Sequence, residues 1–153
     1  MSTIPPGRNW RPAVNRYVVD ASVIVASLLP DEPYHRPASH LLDKFHEGTV
    51  ELYAVDLLPF EVANALWRAA TRGRIDISLA LEAIEQFEKF DIAYLKVGLE
   101  GLVKLAYEYG RTAYDAAYLA LALQLGIPLL TADKRLFNAL EGKFELIRWI
   151  ESA

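Results

Sequence analysis

Five short apolar stretches, each separated from the next by helix-patterned sequence, restrict the possible folds of this chain more than any other feature. The strands read as residues 16–19, 50–55, 92–95, 128–131 and 144–147. Between them the pattern predicts helices over 21–29, 36–46, 57–72, 78–90, 98–109, 112–125 and 134–140. Gly48, Gly73, Gly110 and Gly126 are natural helix stops, and Asp56 is a natural N-cap for the helix at 57. In the helix at 78, Leu81, Ile84, Phe87 and Phe90 mark the expected buried face. The segment from Ala113 to Leu125 is apolar almost all round and should be deeply packed. Strands joined through helices run parallel and have both faces covered. The expected class is therefore α/β, a three-layer fold whose central, mainly parallel sheet has about five strands with helices on both faces. A chain of 153 residues has room for one core. Residues 16–153 are expected to form that domain, behind an irregular lead-in at 1–15 that Pro5, Pro6, Gly7 and Pro12 interrupt.

Composition removes several function classes. There is no cysteine, which excludes disulfides, thiolate zinc sites and cysteine nucleophiles together. His35, His40 and His46 lie in one short stretch without helical ligand spacing and are read as surface residues. No apolar run reaches the roughly 20 residues that a membrane-spanning helix needs, and the N-terminal residues lack the apolar core of a signal peptide. A soluble, cytoplasmic protein is expected. The net charge of −4 argues against a nucleic-acid binder unless the acidic excess is gathered where a cation neutralises it.

Open parallel sheets bind ligands at the carboxyl ends of their strands. Asp20 ends the first strand there, and Asp133 lies just past the fourth. Glu61 is in the early turns of the helix leaving the second strand. Asp115 opens the helix that runs back to begin the fourth strand, so it starts from the same edge. Crowded carboxylates repel and raise one another's pKa, which a bound cation relieves. An all-oxygen donor set selects a hard ion, Mg²⁺ or Mn²⁺, and such an ion suits phosphodiester hydrolysis. Each acid alone also suits a structural role. Asp20 and Asp133 can cap helices, Thr112 and Asp115 have capping-box spacing, and Glu61 in a first turn favours the helix dipole.

Four segments carry a family resemblance. Tyr17-Val18-Val19-Asp20-Ala21-Ser22 resembles the opening motif of PIN domains, and the segment from Pro59 to Leu66 around Glu61 resembles their glutamate helix. The segment from Thr112 to Ala120 around Asp115 resembles the third motif, and that from Leu130 to Phe137 around Asp133 the fourth. Within the family, the chain is most similar to VapC-type toxins of toxin–antitoxin pairs. The resemblance implies a Mg²⁺- or Mn²⁺-dependent endoribonuclease, usually a homodimer, inhibited by a cognate antitoxin protein. It implies Asp20, Glu61, Asp115 and Asp133 as catalytic, metal-holding residues, with Ser22, Asn64 and Thr131 in support. Some relatives carry a further acid two residues after the last aspartate; Arg135 stands there, which counts against a second metal.

Arg68 and Arg72 continue the helical stripe of Glu61 and are candidate RNA contacts, with Arg74, Arg111, Lys134 and Arg135 as further candidates for the rim. Trp10, Trp67 and Trp149 could stack on bases, but aromatic residues more often pack in cores or interfaces. Two other functions fit the same fold: an RNA-processing nuclease, or a non-catalytic module that binds RNA or a partner. An α/β phosphoryl-transfer enzyme or receiver-like domain would want a second acid near Asp20, and Ser22 occupies the place two residues on.

Overall fold

The structure, a computed structural model, describes residues 14–153. Of the expected 1–15 lead-in only Val14 and Asn15 are described; the remainder, with Trp10, lies outside the described residues. The elements run β1 (Asn15–Val19), α1 (Ala21–Leu28), α2 (His35–His46), β2 (Val50–Ala54), α3 (Leu58–Thr71), α4 (Ile77–Glu88), β3 (Ala93–Tyr94), α5 (Leu99–Tyr109), α6 (Ala113–Leu125), β4 (Leu129–Thr131), α7 (Lys134–Leu140) and β5 (Ile147–Trp149). A 3₁₀ turn, Ile150–Ser152, closes the chain.

The five strands form one sheet in the order β3-β2-β1-β4-β5, and every pairing is parallel. Starting from β1, the chain builds outward through β2 and β3, then returns to lay β4 on the other side of β1. Right-handed crossovers put α1 to α4 on one face and α5 and α6 on the other. The packing agrees: α1 touches α2, α3 and α4, whereas α6 pairs with α5 and lies against β1 and β4. Burial of both faces explains why the inner strands are continuously apolar, with Val18, Val19, Leu129 and Leu130 fully inaccessible. Each such side chain contributes roughly 1.5–3 kcal/mol by leaving water.

The expected order of elements is the observed one, and the class is α/β in three layers. Four local readings need correction. The last strand is Ile147–Trp149 rather than 144–147, because the Phe144 N–H bonds back to the Leu140 carbonyl at 2.8 Å and extends the turn after α7. In α4 the buried stripe is Ala80, Ala83 and Phe87, while Leu81 is 59% exposed, so the helix is turned to bury its small residues beside Phe87. Asp56 does not cap α3, since Leu57 takes the N-cap position and Pro59 falls in the first turn of the helix, where its missing N–H costs nothing. His35 is half-buried, and its Nδ1 meets the Ala26 carbonyl at 2.8 Å, tying α2 to α1. Helix α6 is packed as expected through Ala116, Ala117, Tyr118, Leu119, Leu121 and Ala122, although Tyr114 and Leu123 stay exposed.

Candidate active site

The return of the chain to β1 creates a switch point between β1 and β4, where the loops leaving the two strands part to opposite sides. The register pairs Val19 with Leu130, so Asp20 and Thr131 are neighbours just beyond. The Thr131 hydroxyl donates to Asp20 Oδ2 at 2.5 Å. Ser22 donates to Asp20 Oδ1 through its hydroxyl and, at 3.0 Å, through its backbone N–H. The Ser22 Oγ accepts in turn from the Ala132 N–H at 2.9 Å, and the Thr131 Oγ1 from the Asp133 N–H at 3.0 Å. Two hydroxyls thus stitch the end of β1 to the end of β4 around one carboxylate.

Asp20 is only 6% exposed. Burial pushes its carboxyl up to about 6 against the pull of the Ser22 and Thr131 hydroxyls, and the charge of Asp133 adds to the rise. Asp20 and Asp133 also cap the helices that follow them. Asp20 accepts from the N–H groups of Ser22 and Val23, and Asp133 from those of Arg135 and Leu136. The structural and electrostatic roles therefore coexist at both positions.

Glu61 lies in the first turn of α3, half-buried, and the Tyr118 hydroxyl of α6 donates to its Oε1 at 2.5 Å. Burial raises the Glu61 pKa, the Tyr118 bond opposes the rise, and the Asp115 charge adds to it. Asp115 sits in the first turn of α6, where Thr112 caps its N–H at 3.1 Å. Its carboxylate does not return the bond to complete a capping box. It pairs instead with Arg111, with Oδ2 at 3.0 Å from Nη2 and 3.2 Å from Nε.

An open pocket of about 650 Å³ lies over this edge, lined by Ser22, Glu61, Asn64, Arg68, Tyr114 and Asp133 among others. Asp20 and Asp115 do not line it; Asp20 lies buried against Ser22. Asp20 feels the charge of Asp133 and Glu61 that of Asp115, while Tyr118, bonded to Glu61, feels the charges of both Glu61 and Asp20. Among the described residues no group of three acids or histidines is close enough to hold one ion as the side chains stand. The donor chemistry nevertheless fits a hard cation. Among the described residues no lysine, arginine or histidine pairs with Asp20, Glu61 or Asp133, which leaves a buried carboxylate beside a second one with no counter-charge.

Of the supporting candidates, Ser22 and Thr131 touch Asp20 directly, whereas Asn64 only lines the pocket. Arg68 reaches the pocket, and Arg72, at the C-cap of α3, does not. Arg74 is paired with Asp31 and Glu32, and Lys134 stands over the Tyr34 ring. Trp149 packs against Tyr34 and Phe137, while Trp67 is 60% exposed. Sequence reasoning passed over Tyr118, which looks like one more large residue in an apolar helix.

A family model described as the PIN domain matches residues 17–143. Over 126 residues the chain is 38% identical to ribonuclease VapC3 of Pyrobaculum aerophilum, covering 79% of this chain and 92% of that protein. It is 29% identical over 130 residues to exonuclease VapC9 of the same organism, covering 85% and 90%. Its fold is similar to the crystal structure of PAE2754 from Pyrobaculum aerophilum, with a TM-score of 0.68, 25% identity and 91% of each chain covered.

Proposed function

The chain belongs to the PIN domain family, and from that premise we propose that it is a Mg²⁺- or Mn²⁺-dependent endoribonuclease acting as the toxin of a VapBC-type toxin–antitoxin pair. The observation that carries this reading is the junction of Asp20 and Asp133 through the Thr131 hydroxyl across the β1/β4 switch point, with no lysine, arginine or histidine paired to either among the described residues. Its relatives named ribonuclease VapC3 and exonuclease VapC9 favour nuclease chemistry. Asp20, Glu61, Asp115 and Asp133 are the residues assigned to holding the metal and to catalysis. When bound, the ion would supply an acidified water and a counter-charge for the phosphoryl group under attack.

The protein's own groups do the remaining work. Ser22 and Thr131 hold Asp20 in one orientation, and Asp133 is fixed by its place at the start of α7. Glu61 faces the pocket that would admit the RNA strand, and Arg68 on its wall suits a phosphate. Arg111 neutralises Asp115 in this structure, so a cation claiming that carboxylate must compete with the guanidinium. The other reading, an RNA-processing nuclease, shares this chemistry and differs only in its cellular role.

Purified protein is expected to cut an unstructured, end-labelled RNA internally when Mn²⁺ or Mg²⁺ is present. Asp115→Asn and Asp133→Asn should each cut it roughly 100-fold more slowly, with unchanged circular dichroism. Full activity in the double variant ends the assignment, and stepwise shortening from one terminus makes the protein an exonuclease instead. Expression alone should arrest growth, and a short neighbouring gene product, the antitoxin, should restore it. Harmless expression of an active nuclease favours RNA processing.

The protein is also proposed to be a homodimer working in the cytoplasm. Leu99, Val103 and Tyr107 repeat every fourth residue along α5 and are 75%, 62% and 92% exposed, a stripe that favours a second apolar surface. No helix among the described residues is long and apolar enough to cross a membrane. Light scattering at micromolar concentration should give twice the chain mass, and Val103→Glu should reduce it. A monomer mass for the parent protein refutes the dimer.

A further inference from the structure

Glu61 and Asp115 are carried by helices from opposite layers, and one side chain joins those helices at the sheet edge. Tyr118 is 2% exposed, and its hydroxyl donates to Glu61 Oε1 at 2.5 Å, between residues 57 positions apart in the chain. Among the buried side chains of α6, namely Ala116, Ala117, Tyr118, Leu119, Leu121 and Ala122, Tyr118 alone carries a polar atom. Packing there asks for an apolar residue of this size. It does not ask for a phenol, whose O–H must find a partner once buried.

The partner it finds is half-buried and flexible. Glutamate has several rotamers in a first helical turn, and ordering it costs conformational entropy at the moment a ligand binds. The phenol removes that freedom in advance. It takes one carboxylate oxygen, while Oε2 accepts from no side chain or backbone N–H among the described residues. Tyr118 is also three residues beyond Asp115, one turn along the same helix and face. One rigid ring therefore fixes the Glu61 carboxylate relative to Asp115.

We propose that Tyr118 is a positioning residue for the cation site, holding Glu61 with one oxygen engaged and the other turned to the pocket. This rests on the metal-holding role of Glu61 given above. Hydrogen-bond partners that orient a ligand change metal affinity by about 10- to 100-fold when removed, and a loss of that size is expected for Tyr118→Phe.

The test is a titration with Mn²⁺ alone, followed by the electron paramagnetic resonance signal of the free ion. It is run on the parent protein, Tyr118→Phe, Glu61→Gln and the double variant. Tyr118→Phe should weaken Mn²⁺ binding by that factor with an unchanged circular dichroism spectrum, and should cause no further loss in the Glu61→Gln background. Tyr118→Met, which also lacks the donor but repacks more freely, should show the same loss and serves if the phenylalanine variant is poorly folded. Parent-like binding by either folded variant overturns the proposal. So does an equal loss with and without Glu61, which marks a general packing defect. If the parent binds no Mn²⁺, or Glu61→Gln binds as the parent does, the metal-holding role of Glu61 fails first and takes this inference with it.

Discussion

An Asp20→Asn protein is expected to cleave RNA roughly 100-fold or more slowly than the parent and, free of metal, to be more stable than the parent at pH 7.5. The second half follows from burial. The Asp20 carboxyl is pushed from 3.8 up to about 6 in the folded protein. The folded state therefore holds this proton more tightly than the unfolded chain does, and stability falls as pH rises from about 4 to about 6. Above that window the cost of the buried charge is fully present; below it the cost is absent. A shift of this size corresponds to about 2–3 kcal/mol as an upper bound, and an uncharged amide of the same shape avoids it. The Asn carbonyl can still cap α1, and its amide can donate to the Thr131 oxygen. Denaturant unfolding of metal-free protein at pH 7.5 and pH 4 is the measurement. The variant should gain at the higher pH and converge with the parent at the lower; a loss at both would mean that the carboxylate is worth more to the fold as a charge than burial costs.

Chelation should abolish cleavage, and restoring Mn²⁺ should both recover it and stabilise the fold. A ligand that binds only the native state adds about 2.7 kcal/mol at a hundredfold excess over its dissociation constant. The like-charged pairs Asp20–Asp133 and Glu61–Asp115 are what the ion would relieve, so the gain should shrink in Asp133→Asn and in Glu61→Gln. Calorimetric melting with EDTA, Mg²⁺ and Mn²⁺ measures it directly. Cleavage that survives exhaustive chelation would remove the metal from the mechanism and leave these carboxylates to act as acids and bases.

The order of strands and helices was legible because each strand run is short and apolar and most are bounded by glycine or proline. Asp20 and Asp133 were legible for a topological reason: residues just past two parallel strands end on the same edge, and here those strands are adjacent. What the pattern concealed is informative. Arg111 looked like a phosphate contact but stands just before the N-cap of α6, four residues ahead of Asp115, and it pairs with that carboxylate. The four acids were expected to converge on one rim; which donor holds each was not legible, Thr131 and Ser22 for Asp20, Tyr118 for Glu61 and Arg111 for Asp115. The Tyr118–Glu61 bond has no local signature, because a tyrosine in an apolar helix carries no mark of which distant group its hydroxyl will meet. In α4, side-chain size misled: Leu81 is the larger residue, but the buried face is that of Ala80, Ala83 and Phe87.

That Asp20 and Asp133 are also the N-caps of α1 and α7 has a practical consequence for anyone scanning this chain. Truncation to alanine deletes two things at once, and the lost helix start alone costs about 1 kcal/mol. An inactive alanine mutant would then confuse a protein that has lost its chemistry with one that has begun to unravel at the ends of β1 and β4. Amide replacements keep the scaffold while erasing the charge, so they alone can apportion the damage.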